Sequence, residues 1–154
     1  GRRLERMEVE DIGIADPQAL TVTLSAKDAF EYLGSPEGEL ALAQACVYVA
    51  TAPKSNAVYN AYKAAVADAK QHGSLMPPKH ILNATTKLMD SEGYGEGYRY
   101  DHNEDDAFSG QNYFPSEMGR KTYYTPVERG FERDIAKRLE YCARLRTSRN
   151  QSEA

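Results

Sequence analysis

Between the Ser35-Pro36 pair and Pro53 lies the segment that most restricts how this chain can fold. A serine followed by proline is a helix start signal, and a later proline ends the helix because it lacks an N–H and crowds the preceding turn. Within those limits Leu40, Leu42, Ala43, Cys46, Val47 and Val49 leave almost no polar side. A helix apolar nearly all round is expected to be a central one, packed on several sides. It is too short to span a membrane, since Gln44 and Thr51 break the apolar run from Leu40 to Ala52, well below the roughly 20 residues required. No membrane partner is expected.

The same punctuation divides the rest. Asp16-Pro17 starts a segment that ends at Gly34. Leu20-Thr-Val-Thr-Leu24 alternates as a strand would, but Leu20, Leu24, Phe30 and Leu33 also share a helical side, and we read helix. After Pro53, Ser55 or Asn56 can cap a helix in which Val58, Tyr62, Ala65, Val66 and Ala69 recur until Gly73. Pro77-Pro78 blocks continuation, and Asn83 is expected to cap a short helix reaching Met89. Near the end, Phe131, Ile135, Leu139, Cys142 and Leu145 lay one apolar stripe along a final helix. The fold expected is all-α and mainly helical. One domain covers 1–149: a helical body over 1–92, Tyr/Gly-rich loops over 93–126 with room for one short hairpin, and a C-terminal amphipathic helix over 127–149. Residues 150–154 should fray.

At 154 residues, with 41% hydrophobic and 27% charged side chains, the chain suits a single globular domain and excludes wholesale disorder. Charge is uneven. There are 10 basic and 18 acidic residues before Arg120, net −8, and 9 basic and 5 acidic from it onward, net +4. Arg120, Lys121, Arg129, Arg133, Lys137 and Arg138, with Arg144 and Arg146 further along, are therefore candidate contacts to DNA, although such residues usually just solvate a helix face. Cys46 and Cys142 form no staple or zinc pattern and suit a reducing cytoplasm, with Cys46 expected to be an inert side chain on a buried helix. Arg2, Arg3 and Arg6 are followed by acids and not by an apolar run, so no targeting signal is expected here. Gly1-Arg-Arg-Leu-Glu-Arg-Met7 opens inside a helical pattern without an initiator methionine, as a C-terminal piece of a longer protein would.

Catalytic and cofactor chemistry is weakly supported. Gly93, Gly95 and Gly97 lack the preceding strand and following helix of a phosphate loop, and no Walker-type run occurs. His102 with Glu104, Asp105 and Asp106 matches no calcium-loop spacing and is read as an acidic turn, an aspartate capping a brief helix at Ala107-Phe108. His72, His80 and His102 lack a nucleophile setting and are read as surface or helix-end groups. No catalytic, cofactor or metal residue is assigned. Eleven tyrosines and no tryptophan suit interfaces, where a ring packs and its hydroxyl stays wet. Tyr48, Tyr59, Tyr62, Tyr94 and Tyr98 are the candidate packing or interface residues. Stacking on bases ranks lower, because the 94–113 window is acidic.

Several strings together are specific: Glu10-Asp-Ile-Gly-Ile-Ala-Asp-Pro-Gln-Ala-Leu20, Gly34-Ser-Pro-Glu-Gly-Glu-Leu40, Tyr48-Val-Ala-Thr-Ala-Pro-Lys-Ser-Asn-Ala-Val-Tyr59, Thr86-Lys-Leu-Met89, and Gly93-Tyr-Gly-Glu-Gly-Tyr-Arg-Tyr100. Over nearly its whole length the chain resembles the C-terminal region of the RarA/MgsA family, replication-associated recombination AAA+ ATPases that include the Werner-helicase-interacting protein. It departs at Leu82, where the family tends to show arginine. The resemblance implies a clamp-loader-collar-like helical domain that holds ATPase subunits together as a homotetramer. It implies no catalysis in this fragment; ATP, magnesium and a DNA-dependent ATPase activity belong to an N-terminal AAA+ module outside this chain. It also implies action on DNA at replication forks in repair and recombination, single-strand-binding protein as a partner of the whole protein, and a cytoplasmic, nucleoid-associated location. The alternative reading is a DNA-contacting module built on the basic C-terminal helix.

Overall fold

Local signals in the sequence become helix boundaries in the computed structural model, which describes residues 2–152 and side chains as far as Arg149. The described residues are all-helical, without strands. Helix α1 (Arg2–Met7) continues into a wider π turn (Glu8–Ile12) and a 3-10 turn (Gly13–Ala15). Asp16 then accepts the Gln18 amide on Oδ1 at 3.0 Å, and α2 (Gln18–Leu33) runs to Gly34. The helical alternative for Leu20–Leu24 is the correct one. Helix α3 (Glu37–Thr51) begins after Pro36, and the Lys54 ammonium closes its far end by donating to the carbonyls of Val49 at 2.5 Å and Ala52 at 2.8 Å. Ser55, buried, caps α4 (Ala57–His72) by accepting the Ala57 amide at 3.2 Å.

The remaining helices are α5 (Lys87–Ser91) and α6 (Glu132–Ser152). Thr86, not Asn83, caps α5: its hydroxyl accepts the Met89 amide at 3.2 Å. Helix α6 continues through Ser152, beyond the point where fraying was expected; Gly1, Glu153 and Ala154 lie outside the described residues.

Contacts divide the chain into two units, 1–67 with 123–138, and 68–122 with 139–154. In the first, α2 and α3 pack along each other through small side chains: Ala19, Thr23 and Ala26 from one, Gly38, Ala45 and Val49 from the other, all buried. Ile12, Ala19, Val49 and Ala52 form its core, with Met7 and Tyr48 packed against it. Close helix approach leaves no room for large residues between, so those point outward. The expectation that α3 is covered on several sides is thereby corrected, and Cys46 on it is exposed rather than buried.

The second unit is held by side-chain bonds to backbone. Gln111 accepts the Arg99 amide at 3.0 Å and donates to the Gly97 carbonyl at 2.7 Å, and Asp101 accepts the Ser109 amide at 2.7 Å. That lacing occupies the groups a ladder would use, and no hairpin forms there. Its portion of α6 anchors the acidic turn: Tyr141 donates to Asp106 at 3.2 Å, Arg149 donates to the Asp105 carbonyl, and the Arg146 guanidinium stands 5.5 Å from the centre of the Phe108 ring.

Candidate functional site

One surface feature of the first unit follows directly from the small-residue packing of α3. Leu40, Ala43, Gln44, Val47, Tyr48 and Thr51 recur at three- and four-residue steps and line an open, largely apolar cavity of about 570 Å³. Leu40 is 69% exposed and Val47 66%. An apolar seam of this kind is costly to leave in water and marks an interaction surface. Tyr48 borders it from a fixed position, because its hydroxyl donates to Asp16 Oδ2 at 2.8 Å. That bond, then burial, raises the tyrosine above its ordinary value.

The other candidate interface tyrosines differ in setting. Tyr62 on α4 is 68% exposed, while Tyr59 is capped by the Lys63 ammonium 5.3 Å above its ring. Tyr94 is half-buried and Tyr98 exposed, both in the second unit.

In the second unit a cavity of about 480 Å³ gathers the guanidiniums of Arg99, Arg120 and Arg146 with His80, Gln111 and Asn112. No carboxylate is among its lining residues. Arg120 is held by the carbonyls of Gly110 at 3.2 Å and Gln111 at 2.9 Å. Burial, then the like charge of Arg146, loosens its hold on its proton relative to an ordinary guanidinium. Arg99 donates to the Ser109 carbonyl at 2.5 Å and lies 3.7 Å from Glu104.

Of the candidate DNA contacts, Arg120 and Arg146 thus enter this cavity, Arg144 lies 3.7 Å from Glu140, and Lys121 meets Asp68 at 3.9 Å. Arg129, Arg133, Lys137 and Arg138 belong to the first unit. Arg133 donates to the Glu128 carbonyl at 3.0 Å, Lys137 pairs with Asp134 at 3.3 Å, and Arg138 lies over the Phe131 ring. Arg99 and His80 gave no signal in the sequence, since nothing in the 94–113 window announces that distant arginines join it. Among the described residues no group of three or more His, Cys, Asp or Glu is placed to hold a metal ion. His102 packs on Tyr100 at 5.0 Å, and His72 lies against the Asp68 carbonyl at 2.9 Å. The turn at 105–107 is a 3-10 turn with Phe108 extended, which replaces the brief helix expected at Ala107-Phe108.

Among the described residues no helix is long and apolar enough to cross a membrane. Comparison with known proteins gives a consistent result. Replication-associated recombination protein A of Coxiella burnetii is 50% identical over 153 residues, covering 99% of this chain and 35% of the relative. The protein of the same name from Escherichia coli K12 is 49% identical over 143 residues, 92% of this chain and 32% of its own. ATPase WRNIP1 of Dictyostelium discoideum is 37% identical over 124 residues, 80% of this chain and 14% of its own. The chain therefore spans about a third of the length of the two bacterial relatives. Residues 1–143 match the family model described as MgsA AAA+ ATPase C terminal, and the chain belongs to that family.

Proposed function

We propose that this chain is the assembly module of a AAA+ ATPase that acts in replication-associated recombination, joining ATPase modules as a homotetramer. The observation that carries this reading is the exposed seam of Leu40, Val47 and their neighbours on α3, which a second copy of the chain can cover by helix pairing. Membership of a C-terminal AAA+ family and the greater length of the relatives support the rest. In this reading ATP and magnesium bind in the AAA+ module, and DNA at replication forks and single-strand-binding protein are partners of the whole protein. The mechanism here is positional: several ATPase modules held around one axis respond jointly to nucleotide.

The test is the mass of the 154-residue chain in solution by light scattering across a range of concentrations. A tetramer that the Val47→Glu variant dissociates supports the reading. A monomer at every concentration sinks it for this chain.

The alternative, a DNA-contacting module, has in its favour that Arg129, Arg133, Lys137 and Arg138 are all exposed. The engagement of Arg133 by the Glu128 carbonyl, Lys137 by Asp134 and Arg138 by Phe131 weakens it. Backbone contacts of this type weaken steeply with salt. Unchanged binding of a forked duplex by the double variant Arg133→Glu, Lys137→Glu removes it.

A further inference from the structure

We infer that the basic cavity of the second unit is a phosphate site, and that the ligand it takes is a nucleotide whose ring lies in the adjoining cavity. Four observations carry this. First, three guanidiniums converge in a chain whose formal charge is −4, so the local positive field comes from placement and not from composition. Second, Arg120 and Arg146 are fixed by the carbonyls of Gly110 and Gln111 and by the Phe108 ring, contacts that orient a guanidinium without neutralising it. Planar forks held in this way are suited to phosphate oxygens.

Third, Nε of Arg146 and Nε2 of His80 are buried and make no hydrogen bond among the described residues, so two side chains that line the cavity carry unsatisfied nitrogens. Fourth, His80 is shared with a neighbouring cavity of about 550 Å³ walled by Tyr98, Tyr113, Ile81 and Leu82. The His80 and Tyr113 rings are 5.9 Å apart, and the Tyr98 and Tyr113 rings offer apolar faces beside the charged pocket. A phosphate at the arginines and a base against a tyrosine is the arrangement by which proteins hold unpaired nucleotides. Acidity of the 94–113 sequence window argued against stacking; Arg120 and Arg146, brought in from elsewhere in the chain, reverse that argument. The inference does not depend on assembly of the chain.

The shared chemistry, a phosphate next to a stackable ring, is present in a free mononucleotide and in a strand of DNA. Calorimetry at low ionic strength with thymidine monophosphate, thymidine, inorganic phosphate and a phosphorylated hexathymidylate separates these. Thymidine monophosphate is expected to bind, with thymidine at least about tenfold weaker because the phosphate carries the charge-assisted bonds. Arg146→Gln should weaken it about tenfold, with Arg146→Lys intermediate because the charge remains and the fork is lost. Tyr98→Ala should weaken the nucleotide and leave inorganic phosphate unchanged. Equal affinity of monomer and hexamer assigns a free nucleotide, and a hexamer at least about tenfold tighter assigns a strand. Thermal unfolding of each variant checks that the fold is kept, and Arg133→Gln in the first unit serves as the control that should change nothing. The idea is overturned by no binding of any phosphate at roughly millimolar concentration. It is equally overturned by binding that Arg146→Gln leaves intact, or by capture of a peptide carboxylate where phosphates fail.

Discussion

Gly130 and Ala15 approach so closely that a Cβ on the glycine would stand 2.0 Å from the alanine carbonyl oxygen. The same carbonyl accepts the Phe131 amide at 2.8 Å, so a backbone bond docks the segment before α6 on the turn before α2. Gly130 also has φ +53°, in the left-handed region. Gly130→Ala is therefore expected to cost at least about 3 kcal/mol, since strain and a backbone clash act together. Gly97→Ala provides the comparison: φ is +77° but the space is open, and about 1 kcal/mol is expected. Urea unfolding of both variants measures the difference.

Tyr124 is pushed up to about 12, by burial first and then by the charge of Glu132, which is 0% exposed. Its folded value exceeds the unfolded value of 10.0, so the neutral phenol is the form favoured by folding. That contribution is complete below pH 10 and is lost as pH rises towards 12. A loss of about 1–2 kcal/mol is expected over the interval. Denaturant midpoints measured across it should fall for the native chain and fall less for Tyr124→Phe.

Two valines on one helix separate assembly from folding. Val49 is in the core, 1% exposed, and Val49→Ala should destabilise the chain by about 1–3 kcal/mol without altering its mass in solution. Val47 is on the seam, and Val47→Glu should leave helix content unchanged while lowering the mass. Circular dichroism and light scattering on the same samples give both readings.

Glu8 is buried in the π turn, and burial, then the nearby Asp16 charge, raises its carboxyl above the ordinary 4.5. The folded state therefore favours the protonated acid, and stability is lost as pH rises through the raised value. Glu8→Gln removes that loss. It should raise the unfolding midpoint at pH 7 and have little effect below about pH 4.

Much of the helical architecture is legible in short strings. Asp16-Pro17, Gly34, Pro36 and Pro53 act through geometry within a turn of their own position, so α2 and α3 can be bounded without tertiary information. Helix α5 was less legible because Asn83, Thr85 and Thr86 are all residue types that can cap, and it is the Thr86 hydroxyl that accepts the Met89 amide. Periodicity shows that Leu40 and Val47 share a side, but an exposed seam and a core stripe have the same spacing. The basic cavity was hidden for another reason. Arg99, Arg120 and Arg146 come from separate stretches, and each alone resembles any solvated cation.

The small residues between α2 and α3 also decide which substitutions the isolated chain can absorb. Ala19, Ala26, Ala45 and Gly38 sit where even one added carbon presses on the opposing helix; a Cβ on Gly38 would lie 2.7 Å from the Phe30 Cα. Tyr32, 90% exposed, and Leu40 can be cut back with little loss of internal packing. Mutational tolerance is thus inverted relative to a bulky-core protein: enlarging the smallest inward side chains does the damage, and trimming the largest outward ones does little.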